Sequence, residues 1–308
     1  MMYSDPTDER GRIVKQQIQL LIIDPQNDFC DVPAAWQPTD PLTGAAIAPA
    51  LPVAGAHADM RRTAALIRDG GAGLAGIMVT LDSHHHVDVA HPTFWRRADG
   101  AAVAPFTTIV AAQVRAGEFA PRDAAALPRA LAYLDELEER GRYTLMVWPV
   151  HCEIGTWGHG VHADVRAAYN AWEEATLRGV RKVTKGENPW TEHYSAIQAE
   201  VPDADDPHTQ PNAALLAELD RADVLLVAGE AGSHCVRATT EHIVANLPSG
   251  HPERVVLLTD CMSPVAGFES QQAAFLAQMR ALGVRTMTAA EAVTLLSANL
   301  GRVSAALA

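Results

Sequence analysis

From residue 213 to residue 298 the chain alternates helices and short apolar strands without a break: helix 213–220, strand 224–228, helix 235–244, strand 254–259, helix 269–282, strand 284–287, helix 289–298. The strands are near-continuous apolar runs, such as Val224-Leu225-Leu226-Val227-Ala228. A strand that faced water on one side would alternate polar and apolar residues, so these are covered on both faces. Alternation of this kind predicts an α/β chain: a doubly wound, mostly parallel sheet with helices on both faces, a three-layer Rossmann-like sandwich.

The first two thirds are less regular but fit the same plan. A strand over 18–23 is stopped by Asp24-Pro25, because proline cannot extend a central strand. A second strand over 74–81 delivers Asp82 to the same edge, a third over 144–147 leads into Trp148-Pro149, and a short one over 179–184 ends at Lys185. Helices are expected over 56–68, closed by Gly70-Gly71, and over 125–140 and 163–175. Residues 1–15 read as a loose tail, and the stretches 31–52 and 92–140 as insertions into a single domain spanning 1–308. No internal repeat is present.

With 308 residues, 48% hydrophobic and 20% charged, the chain can bury a large core. Its net charge of −13 argues against nucleic acid or an anionic membrane as partner. No apolar run has the length needed to span a bilayer, and the first residues are polar. The cysteines Cys30, Cys152, Cys235 and Cys261 lack CxxC spacing and are too sparse for a disulfide scaffold, so a reduced, cytoplasmic protein is expected.

In an open parallel sheet, groups at the carboxyl ends of strands converge on the ligand site. Three such groups stand out. Cys235 lies in the turn Gly229-Glu230-Ala231-Gly232-Ser233-His234-Cys235-Val236, at the start of a helix whose dipole and free N–H groups favour a thiolate. A cysteine so placed is a nucleophile or a buried, inert side chain. Asp24 is a candidate base or a turn carboxylate, and Lys185 a stabilising cation or a solvated charge. Their joint placement favours a site: a carboxylate can take the thiol proton, and an ammonium can steady the thiolate. An ordinary thiol titrates near 8.5, so an activating partner is needed at neutral pH.

Asp24-Pro25-Gln26-Asn27-Asp28-Phe29, Lys185-Gly186 followed by Tyr194-Ser195, and Gly229-x-Ala231-x-x-His234-Cys235-Val236-x-x-Thr239 together resemble the isochorismatase-like cysteine hydrolases. The resemblance implies an Asp–Lys–Cys triad: Cys235 as nucleophile, Asp24 as general base and acid, Lys185 as the cation holding both. It further implies a cis peptide between Glu230 and Ala231, and an oxyanion hole made by the N–H groups of Ala231 and Cys235.

A second cluster, Asp82-Ser83-His84-His85-His86-Val87-Asp88-Val89-Ala90-His91, is rich in imidazole and carboxylate, the usual ligands of zinc, iron or manganese. Asp82 and His84 are two apart and point the same way in extended chain. Together with Trp148-Pro149-Val150-His151-Cys152, this cluster resembles the nicotinamidases within the cysteine hydrolases. That resemblance implies a divalent metal, zinc first, with iron or manganese as alternatives, held by Asp82, His84, His91 and His151. It implies aromatic walls for a pyridine ring at Phe29 and Trp148, with His234 also touching substrate. His85, His86 and Asp88 are read as bystanders, and Cys152 and Cys261 as buried. The pattern departs at Ser83 (usually Trp), at His85 (usually Pro), at Gly232-Ser233 (usually Thr-Asp) and at Glu230 (usually apolar), where a carboxylate is expected to line the pocket.

The leading expectation is a nicotinamidase-type amidohydrolase working through a Cys thioester, forming homodimers or homotetramers. Alternatives are another small amide, N-carbamoyl or maleamate-like; vinyl ether hydrolysis of the isochorismate type, which Cys235 counts against; and a non-catalytic small-molecule binder.

Overall fold

The structure is a computed structural model and describes residues 14–301. All but the last two residues of the tail expected over 1–15 lie outside the described residues. In chain order the strands are β1 (Ile18–Ile23), β2 (Gly76–Asp82), β3 (Trp95–Arg97), β4 (Thr107–Ile109), β5 (Phe119–Pro121), β6 (Leu145–Val147), β7 (Arg181–Lys185), β8 (Val224–Gly229), β9 (Val255–Leu258) and β10 (Arg285–Met287). The helices are α1 (Ala56–Gly70), α2 (Ala111–Arg115), α3 (Leu127–Arg140), α4 (Ala163–Thr176), α5 (Ala213–Leu219), α6 (Cys235–Asn246), α7 (Glu269–Ala281) and α8 (Ala289–Leu300).

Six strands form one sheet in the order β10-β9-β8-β1-β2-β7, with every neighbouring pair parallel. The chain builds outward from β1 through β2 to β7, then returns to the other side of β1 and builds outward again through β8, β9 and β10. The order therefore reverses between β1 and β8, where doubly wound sheets open a crevice at their carboxyl ends. Register places Ile23 beside Gly229 and Asp82 beside Lys185, so those ends are level.

The central strands are buried on both sides as their composition requires. Ile18, Leu20, Leu21, Ile22 and Ile23, and all of β8 and β9, lie in the core. Each such aliphatic side chain contributes about 2 kcal/mol on burial. α1 packs with α4 and α8 as one layer and α6 with α7 as another, and both layers reach β8. This is the expected three-layer α/β fold. Among the described residues no helix is long and apolar enough to cross a membrane.

One reading of the middle third needs correcting. The strand near Val147 forms as β6, but it lies outside the central sheet and pairs antiparallel with β4. The stretch 92–140 is ordered, with β3 pairing β5 and with α2 and α3. Its apolar residues, including Trp95, Ile109, Tyr133 and Leu134, form a second core cluster together with Leu145 and Val147 of β6. Three-residue strands are too short for a hydrophobic period to declare them, and their partners are more distant in sequence than a hairpin allows.

Candidate active site

Asp24 follows β1, Asp82 and Lys185 end β2 and β7, and Cys235 opens α6 after β8. Gly229 at the end of β8 has φ +126°, and a Cβ there would lie 2.0 Å from the carbonyl oxygen of Ile23, so only glycine lets the chain leave the sheet this close to β1. The next peptide, Glu230–Ala231, is cis, as the resemblance implied. Among the described residues the N–H groups of Ala231 and Cys235 have no acceptor within the protein, while Ala231 O accepts from His234 N and Val236 N.

The Lys185 ammonium is buried at the centre. Its Nζ lies 2.9 Å from Asp24 Oδ2, 2.8 Å from Asp82 Oδ1, 3.0 Å from the carbonyl oxygen of His193 and 3.5 Å from Cys235 Sγ. Burial alone would lower its pKa, but the two carboxylates outweigh it and hold it well above the ordinary lysine value. Asp24 is fixed by Thr80, whose Oγ1 donates to Asp24 Oδ1 at 2.5 Å and accepts from Asp24 N at 3.0 Å. Burial raises the Asp24 carboxyl, with Lys185 opposing, which makes it a stronger base than a surface aspartate.

At Cys235 burial opposes the thiolate that the helix terminus favours. Burial pushes its thiol well up; Lys185 pulls it down, but Asp24 and Asp82 push it up again. Burial thus favours the protonated thiol, and an Asp24 carboxylate oxygen lies within 4.8 Å of Cys235 Sγ to take its proton.

Beside this group, His84, His91 and His151 bring one ring nitrogen each to within 4.8 Å of one another. Asp82 reaches them with its second oxygen: Oδ2 is 3.2 Å from His84 Nε2 and 3.4 Å from His151 Nε2. The remaining ring nitrogens are anchored. His84 Nδ1 lies 3.1 Å from Asp88 Oδ2, His91 Nδ1 3.2 Å from His85 O, and His151 Nδ1 2.8 Å from Pro149 O. Three buried imidazoles and a carboxylate, each ring steadied from behind, fit a divalent cation. Burial drives the pKa of His91 down to about 2, which keeps it a neutral donor. Burial also disfavours charge on His84, but Asp82 and Asp88 prevail and raise its pKa well above the usual value, so a cation would displace a proton there.

Asp88 is thus no bystander: it is buried and orients His84, and the carbonyl of His85 does the same for His91. The i,i+4 spacing of His84 and Asp88 was the available signal. The Asp-Pro-Gln-Asn-Asp run is also explained. Gln26 clamps the backbone of Asp82, with Oε1 accepting from Asp82 N at 2.7 Å and Nε2 donating to Asp82 O at 2.8 Å. Asp28 Oδ2 accepts from Cys152 N at 2.7 Å and so fixes the chain next to His151. Cys152 and Cys261 are buried as expected.

The cavity over Cys235 is narrow and lined by Phe29, Trp148, His151, Tyr194, His234 and Val265, with Ala231 at its floor. Trp148 donates from Nε1 to Tyr194 Oη at 3.0 Å and meets the His234 ring edge-to-face, centroids 5.1 Å apart. Phe29, Trp148 and His234 therefore all reach the pocket. A residue missed from sequence does too: Glu192, buried, with Oε2 lacking any partner among the described residues. Burial raises its carboxyl, so it can present a proton to the cavity. Glu230 does not line this pocket, contrary to expectation; its side chain runs the other way, to Ser263 and Asp59. A roomier groove of about 380 Å³ lies behind Lys185, bounded by His193 and residues 206–214. It touches neither Cys235 nor the three imidazoles, so the chemistry points to the narrower cavity.

The molecule so described belongs to the doubly wound α/β class, with Cys235, Asp24 and Lys185 at the switch point of the sheet. No protein-family model matches the sequence, and no curated protein matches it. Solved structures do match in fold. The yeast nicotinamidase bound to the inhibitor nicotinaldehyde superposes with a TM-score of 0.58 at 18% identity, covering 88% of this chain and all (100%) of that one. The Acinetobacter baumanii nicotinamidase/pyrazinamidase gives 0.57 at 19% identity over 90% of this chain and 98% of that one. The Leishmania infantum (L. infantum) enzyme in complex with nicotinate gives 0.51 at 18% identity over 93% and 98%. The chain therefore has the nicotinamidase fold.

Proposed function

We propose that this protein is a nicotinamidase-type amidohydrolase that converts a ring carboxamide, nicotinamide first, to the acid and ammonia. The observation that carries the reading is the contact set of Lys185, 2.9 Å from Asp24 and 3.5 Å from Cys235, with its other partner Asp82 shared by His84 and His151. The nicotinamidase fold and the aromatic walls at Phe29 and Trp148 support it, since a flat ring can be stacked and desolvated there.

The residues then act as follows. Asp24 takes the proton from Cys235 Sγ as the sulfur attacks the amide carbon. The developing oxyanion accepts the N–H groups of Ala231 and Cys235, aimed where charge appears. Asp24 returns the proton to the nitrogen as ammonia leaves, and the acyl group stays on sulfur as a thioester. Asp24 next deprotonates a water, which attacks the thioester carbon, and Cys235 leaves and recovers its proton. Lys185 keeps Asp24 and Cys235 in register throughout. A divalent ion on Asp82, His84, His91 and His151, with zinc, iron or manganese all suited to this donor set, would supply a Lewis-acid anchor for the pyridine nitrogen.

The test is ammonia release from nicotinamide by metal-loaded protein, with Cys235→Ala alongside. Release that disappears in the variant is expected. No release from folded, metal-loaded protein would refute nicotinamide as substrate.

A further inference from the structure

Glu230 is the residue before the oxyanion donor Ala231, and it is fully buried yet plays no part in the chemistry above. Its Oε2 accepts from Ser263 N at 3.1 Å. Ser263 is gripped at two further points: its Oγ donates to Asp59 Oδ2 at 2.5 Å and its carbonyl accepts from Gly232 N at 2.8 Å. Two residues on, Val265 lines the pocket and its N–H donates to Ser233 Oγ at 3.1 Å. The turn 230–233 and the segment 261–265 are therefore stitched together, and Glu230 with Asp59 ties both to α1.

The charges around this stitch do not balance if every acid is ionised. Glu230 faces Asp59 from α1 and Cys30 and Asp31 from the loop after β1, while Asp260, Cys261 and Arg62 surround Asp59. The guanidinium of Arg62 is spent on Asp59 and on the carbonyl of Asp260. Glu230 Oε1 meets no donor among the described residues. An ionised carboxylate left buried in this way costs several kcal/mol, whereas a protonated one can donate to its neighbour.

We propose that Glu230 is a positioning residue for the amide pocket: by accepting from Ser263 N, beside the bonds of Ser263 to Asp59 and Gly232, it pins the 261–265 segment against the turn that bears Ala231. The inference rests on the amidohydrolase reading for its effect on rate, but not for its effect on structure. Burial, with Asp59 adding to it, lifts the Glu230 carboxyl well above the usual range, so the protonated form is favoured in the fold and the clamp weakens as pH rises through the raised value.

Two variants test it. Glu230→Leu fills the space but removes the acceptor and the proton; Glu230→Gln keeps a neutral acceptor and a donor. Hydrogen exchange of the 261–265 amides is measured in full-length protein from pH 6 to pH 10, together with kcat and KM for nicotinamide. Glu230→Leu is expected to exchange more than tenfold faster in this segment and to lose more than tenfold in kcat, with KM changed less than threefold. Glu230→Gln should restore protection and most of kcat, and should lack the loss of protection that the native protein shows at high pH. Native-like exchange in Glu230→Leu, or equal damage in both variants, would overturn the proposal. If Glu230→Leu does not fold, the comparison of native protein with Glu230→Gln across pH decides: identical profiles refute it. Should no form hydrolyse nicotinamide, the exchange data still decide the clamp, and only the substrate assignment fails.

Discussion

Replacing Lys185 by methionine removes a buried ammonium of similar length and leaves the carboxylates of Asp24 and Asp82 facing each other. At 2.9 and 2.8 Å, and an effective dielectric of about 20, each ion pair is worth about 6 kcal/mol of gross attraction. Desolvation of the three ions offsets most of that in the native protein. Removing the cation, however, restores no water to the two anions, and breaking such a buried pair costs about 3–5 kcal/mol. For a chain of this size that lowers Tm by about 5–8 °C. Burial already raises the Asp24 pKa while Lys185 opposes it, so without Lys185 the carboxyl rises further. An acid whose folded-state pKa is raised stabilises the fold below its unfolded value and loses that stabilisation as pH climbs through the folded one. The Tm gap between variant and native protein should therefore be small at pH 5 and full at pH 8. Thermal unfolding by circular dichroism at both values measures it, and ammonia release should fall at least 10³-fold, about 4 kcal/mol. A variant that melts within 1 °C or so of the native protein at pH 8 would refute the argument that Lys185 holds two buried anions.

Two further outcomes follow from the site. Asp88→Asn exchanges the carboxylate that orients His84 for an amide, and divalent-metal affinity, measured by competition with a chromophoric chelator, should drop about 10–100-fold while the protein stays folded. An unchanged affinity would make Asp88 merely structural. Phe106, half-exposed with φ +64°, meets Trp148 edge-to-face at 5.9 Å. Phe106→Ala should loosen that wall and raise KM for nicotinamide about 2–10-fold, the worth of one aromatic pair of about 0.5–1.5 kcal/mol, with kcat little changed.

Much of this was legible in the residues because the elements concerned are long or chemically marked. The six central strands read out from apolar runs that end in Asp24-Pro25, Asp82, Lys185 and Gly229. The three histidines that cluster with Asp82 stand in recognisable motifs. What stayed hidden depends on contacts with no local signature. Thr80 holds Asp24 only because β2 lies beside β1, and Glu192 reaches the pocket from an irregular stretch with no period. The direction of Glu230 depends on the neighbouring chain: the strand pattern puts it at the site, but Ser263 and Asp59 turn it away. At Cys235 the helix terminus is visible in sequence, whereas the burial and the two adjacent anions that oppose it are not.

The pairing of His91 with His151 closes a long circuit of chain: their ring nitrogens are 3.3 Å apart across 60 residues. A second tie, Trp148 N to Ala90 O at 2.7 Å, sits at the same junction. Loop-closure entropy grows only with the logarithm of length, so doubling the enclosed segment would add about 0.6 kcal/mol. The enclosed residues also bury their own apolar cluster, which offsets their ordering. Segment length between these two histidines is thus by itself thermodynamically almost neutral, and what holds the span to the junction is its buried cluster, the β4–β6 pairing and Phe106 against Trp148.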